Sequence, residues 1–89
     1  MTSIFKRKAL QAEETKMAVT RSLALAPPGL RGLLLMLSEL VWDKNYKMAE
    51  VRCQQHADLL DTCPEVREEL CGVFPRYATF VKIRLDAKS

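Results

Sequence analysis

A proline pair and the leucine stripe behind it constrain this chain more than any other feature. After Pro27-Pro28, the apolar residues Leu30, Leu33, Leu34, Leu37, Leu40 and Val41 recur at i, i+3, i+4, i+7, i+10 and i+11. That spacing lays one continuous leucine face along a helix. A face of this kind must be buried, so the chain is expected to pack helix against helix. The prolines set its start, because the residue before each is pushed out of the α region and Pro28 suits a first helical turn. The second helix is therefore expected from Gly29 to about Trp42.

The rest of the chain reads as further helix. It has 89 residues, which is one domain's length, and 48% of them are apolar, ordinary for a globular protein. Only three glycines occur, Gly29, Gly32 and Gly72, which leaves little material for hairpin turns. Thr2 or Ser3 can cap a first helix running to about Ala24. Its face of Phe5, Ala9, Ala12, Val19 and Leu23 is thin and interrupted by Lys16, so the helix is expected to lean on a partner, fray at its start or project. Asp43-Lys44-Asn45 marks a weak break. Beyond it Tyr46, Ala49, Cys53, His56, Ala57 and Leu60 share a third helical face. Asp61 or Thr62 can cap a fourth helix over Pro64 to Phe74, with Val66, Leu70, Val73 and Phe74 inward.

The last segment supports two readings. Tyr77, Thr79, Val81, Ile83 and Leu85 alternate with other residues at the two-residue period of a strand, in β-favouring types. A helix would group Tyr77, Phe80, Val81 and Leu85 and leave Ile83 off the face. A strand would have to pair with its own copy or another protein's sheet edge, since no other segment reads as one, and the helical character of the rest favours the helix. The expectation is an all-α single domain over 1–89, a bundle of about four helices. It has a basic helix over 1–26, a core over 29–74, and a helix or pairing strand over 76–86.

Charge is laid out in blocks. Residues 1–24 carry Lys6, Arg7, Lys8, Lys16 and Arg21 against Glu13 and Glu14. Residues 39–69 carry eight acids and four bases. Residues 75–89 carry Arg76, Lys82, Arg84 and Lys88 against Asp86. Basic ends and an acidic middle can attract each other within one chain or between two. The longest aliphatic run, Leu33 to Leu37, falls far short of the ~20 residues a bilayer requires. After Lys6-Arg7-Lys8 the chain turns polar, with Glu13-Glu14, unlike a signal or transit peptide. A cytoplasmic protein is expected.

No motif names a reaction. There is one histidine, no glycine-rich phosphate loop and no nucleophile-elbow serine. Glu68 and Glu69 are adjacent and diverge on a helix, and Arg67 could lower the pKa of Cys71. Cys53, His56, Cys63 and Cys71 supply enough ligands for zinc. Their C-x2-H-x6-C-x7-C spacing lacks the paired knuckles of a structural site, so no metal and no cofactor are expected. Cys53 and Cys63 look like half of the twin C-x9-C pattern of intermembrane-space helical hairpins, without its second half. With Cys71 left over, reduced cysteines are the expectation. Residues 30–64 resemble in shape one helix-turn-helix unit of a tetratricopeptide array, through Asn45-Tyr46, Ala49 and Cys63-Pro64.

Function is therefore expected in binding. Leu35, Met36 and Trp42 lie off the main stripe of the second helix, and a helix apolar over most of its girth is central to a bundle or covered by something else. Trp42 beside Tyr46 is an aromatic pair of the kind that anchors interfaces or caps a bundle. The expected protein-binding surface is thus Leu35, Met36, Trp42 and Tyr46, in a small adaptor or inhibitor that also forms a homodimer. Such short helical proteins resemble phage- or plasmid-encoded regulators and secretion co-chaperones. The rival is a nucleic-acid accessory protein that tracks phosphates with Lys6, Arg7, Lys8, Lys16 and Arg21.

Overall fold

The computed structural model describes the backbone of residues 4–88 and the side chains of residues 12–87. Six helices follow one another: α1 (Ile4–Leu25), α2 (Pro28–Trp42), α3 (Tyr46–Gln55), α4 (Ala57–Leu60), α5 (Pro64–Cys71) and α6 (Pro75–Lys88). The described residues contain no strand, so the fold is all-α. Six helical segments replace the expected four or five because the third splits at His56, whose φ of −109° and ψ of 27° leave the helical region. The segment after Pro75 is helix throughout its described length. A helix satisfies its own backbone, whereas a strand would have left N–H and C=O groups unpaired.

The helices close into a ring. α1 packs on α2, α2 on α3, α3 on α6, α6 on α5, and α5 back on α1, while the short α4 links α3 to α5. One buried cluster fills the ring. Leu30, Leu33, Leu34, Leu37 and Val41 come from α2, Ala49 and Cys53 from α3, and Ala57 and Leu60 from α4. Val66 and Leu70 of α5, Phe74, and Tyr77 and Val81 of α6 complete it, with Val19 of α1. The leucine stripe is buried as its spacing predicts, with Leu40 at its margin.

The first helix lies against the others rather than projecting. Among its described side chains Thr15, Ala18, Val19 and Ser22 are fully buried, and Ala12 and Leu23 are only half-buried. The expected face is thus kept at Val19 and widened to small residues, two of them polar. Ser22 can be buried because its hydroxyl donates to the Ala18 carbonyl at 2.8 Å. Thr2, Ser3, Phe5 and Ala9, named for the cap and face of this helix, lie outside the described residues or side chains.

Helix ends explain the corners. Pro27 holds the extended N-cap conformation (φ −68°, ψ 164°), and Pro28 opens α2, where its missing N–H costs nothing. The break at Asp43-Lys44-Asn45 is firm. The Asn45 N–H donates to the Leu40 carbonyl at 2.8 Å and the Lys44 N–H to Val41 at 3.0 Å, which is a Schellman motif. Lys44 sits at its left-handed position with φ 62°, where glycine is the usual residue. Neither Asp61 nor Thr62 caps α5. Cys63 occupies that N-cap without a side-chain bond, and the Thr62 hydroxyl turns back to the Leu59 carbonyl at 2.6 Å. The first turn of α6 is capped from another helix: the Arg76 N–H donates to the Glu50 carboxylate of α3 at 2.7 Å.

Candidate interaction surface

The side of α2 opposite the leucines is open. Leu35 is 54% exposed and Trp42 52%, and seven residues put them two turns apart on the same side of the helix. The other two residues of the expected patch face elsewhere. Met36 packs against the core, and so does Tyr46, which also lines a cavity of about 360 Å³ with Ala12, Thr15, Glu50, Val73, Phe74 and Pro75. The four residues thus split into an exposed pair on α2 and a half-buried pair that supports the core.

Trp42 is held in place from α1. The Lys16 ammonium stands 5.3 Å from the centre of its ring, a cation–π distance. Lys16, read from sequence as an interruption of an apolar face, instead covers an aromatic ring of the neighbouring helix. Nothing in the local spacing signals this pair, because its members belong to different helices.

Part of the charge layout is paired inside the chain. Arg21 of α1 donates to Glu69 of α5 at 2.8 Å. Arg84 of α6 bonds Asp58 and lies 3.1 Å from Asp61, which also meets Arg67 at 3.3 Å. Basic ends are therefore tied to the acidic middle, as the block layout allows. Of the basic residues named for phosphate binding, Arg21 is in an ion pair and Lys16 lies on Trp42. The side chains of Lys6, Arg7 and Lys8 lie outside the described residues.

The interior holds unusual polar groups. Cys53 is fully buried, and burial, with Glu50 and Cys71 adding to it, pushes its thiol up to about 12. Cys71 is also raised, because burial outweighs the opposing pull of Arg67, so it is not an activated thiolate. Burial likewise raises Tyr77. Among the described residues, the hydroxyls of Tyr46 and Tyr77 are buried without a hydrogen-bond partner. His56 is exposed at the α3–α4 break while Cys53 is buried, so they do not converge. No group of three His, Cys, Asp or Glu that could hold a metal occurs among the described residues. No helix among them is long and apolar enough to cross a membrane.

No protein-family model, curated protein or solved structure matches the chain. The shape likeness of residues 30–64 to a tetratricopeptide unit therefore carries no argument, and any function must be read from the surface itself.

Proposed function

We propose that the protein is a cytoplasmic, non-catalytic interaction module, a small adaptor or inhibitor that binds another protein through the outer side of α2. The observation that carries this reading is the exposure of Leu35 and Trp42 on a helix whose opposite side is fully committed to the core. An exposed tryptophan held by a lysine loses little freedom on binding and presents a large apolar area.

The test is a crosslinking pulldown that compares wild type with Leu35→Glu and Trp42→Ala. Both variants are expected to lose the captured protein and keep their helical circular dichroism. Equal capture by all three would sink the reading. The nucleic-acid alternative predicts a different response. Binding of a labelled DNA duplex should fall steeply between about 50 and about 200 mM salt, and it should be lost on reversing Lys6, Arg7 and Lys8. Apolar burial at α2 has little salt dependence.

A further inference from the structure

We infer that the outer ridge of α2 is self-complementary and that its occupant is a second copy of this chain, docked antiparallel about a two-fold axis at Leu35. This inference rests on the reading of α2 as the binding surface and names what covers it. At about 100° per residue, Pro28, Arg31, Gly32, Ser38, Glu39 and Trp42 all lie within about 60° of Leu35 around the helix. All but Ser38, which is half-buried, are exposed.

The order of these residues is what points to a second copy. A two-fold axis perpendicular to the helix pairs each position before Leu35 with the position equally far after it on the other copy. Arg31 and Glu39 stand four residues on either side, about 6 Å along the axis, so each copy brings a cation alongside the other's anion. Neither is in an ion pair with another described residue. Gly32 and Ser38, three residues on either side, are both small. A Cβ at Gly32 would meet nothing within 4 Å, so the glycine is not needed by the fold and leaves room for a partner helix to approach. Pro28 and Trp42, seven residues on either side, set an exposed proline ring against an indole. Opposite charges, small against small and apolar against apolar thus recur outward from one leucine. A parallel pairing would instead set Arg31 against Arg31 and Glu39 against Glu39.

A single pair of 15-residue helices makes a contact at the small end of specific interfaces, so the dimer is expected to be concentration-dependent. Sedimentation equilibrium from about 1 to about 100 µM reads it directly, and emission of Trp42, the chain's one tryptophan, reports burial at the contact. Wild type is expected to dimerise in this range, with its emission shifting blue. Leu35→Glu should leave a folded monomer. Arg31→Glu and Glu39→Arg should each weaken the dimer at least about tenfold, and the double charge swap should restore it to within about threefold. A dimer that survives Leu35→Glu, or one the double swap fails to rescue, overturns the antiparallel contact. Wild type that stays monomeric at about 100 µM overturns it as well. If that monomer still captures a different protein through Leu35 and Trp42, self-pairing falls while the interaction reading stands.

Discussion

α1 and α2 lie side by side and are held by opposite means. α2 buries five large aliphatic side chains in the core, whereas the described side chains of α1 bury Val19 with Thr15, Ala18 and Ser22. The first contact is made by filling space. The second is made at small side chains, with the serine hydroxyl folded back onto its own backbone. Two helices of one bundle therefore fail in different ways: α2 by losing atoms and α1 by gaining them.

The sharpest break in this comparison is Leu37→Ala. Leu37 is fully buried in the centre of the stripe, and truncating a core leucine costs about 2–5 kcal/mol. For a domain of this size that is a large share of total stability. Urea unfolding should show a lower midpoint at similar slope. The matching insult to α1 is Ala18→Leu, because Ala18 is fully buried where the helix meets its neighbours. Overpacking there should cost about 1–3 kcal/mol. If Ala18→Leu were neutral or stabilising, the α1 contact would be loose rather than close, and the contrast would collapse.

This contrast also explains what sequence could reveal. The α2 stripe was legible because burial of large residues at helical spacing leaves a periodic signal. The α1 face was legible only in part: Val19 and Leu23 follow it, but alanine, serine and threonine carry almost no hydropathy contrast, so the burial of Thr15 and Ser22 left no signal. The last helix was ambiguous for a related reason. Ile83 and Leu85 complete an alternating pattern yet end up 63% and 44% exposed, and only the ring of neighbours selects Tyr77 and Val81 for burial. At the interaction surface, exposure of Leu35 and Trp42 followed from their place off the stripe. Tyr46 joins the core on the face it shares with Ala49 and Cys53, whereas the packing of Met36 at the core's edge was not signalled by its place off the stripe. Charge blocks announced that the ends and the middle attract, but only the fold chooses Arg21 with Glu69 and Arg84 with Asp58 and Asp61.

The core beneath α2 can be probed by pH as well as by truncation. Burial raises the Cys53 thiol from 9.0 to about 12 in the folded chain. As pH climbs past the unfolded value, the unfolded chain gives up this proton first. Stability is therefore full below about pH 9 and declines toward pH 12, by about 1 kcal/mol for each pH unit in between. Cys71 and Tyr77 shift in the same direction and steepen the loss. Urea unfolding under reducing conditions at pH 8 and pH 10 should show the decline, and Cys53→Ala should show a shallower one from a lower start. A flat profile in wild type would mean that the thiol is not enclosed as α2 and α3 require.

The corner between α2 and α3 offers a gain. Lys44 adopts a left-handed conformation that costs a β-carbon-bearing residue roughly 1–2 kcal/mol, and part of this is returned when glycine loosens the unfolded chain. Lys44→Gly should therefore raise stability by about 0.5–1 kcal/mol, seen as a higher thermal midpoint. A loss would show that the Lys44 side chain supports the corner in a way the backbone does not require.

The smallest effect returns to α1. Arg21 and Glu69 are 2.8 Å apart, yet the Arg21 side chain is 53% exposed, so water and salt screen most of the attraction. Arg21→Ala should cost no more than about 0.5 kcal/mol, and less in high salt. Burial of Ala18, Val19 and Ser22 is expected to hold α1 to its neighbours more than this bridge does. A loss as large as that of Ala18→Leu would reverse this order and make the α1–α5 contact electrostatic. Urea unfolding of both variants at two salt concentrations decides between them, because only an electrostatic contact weakens as salt rises.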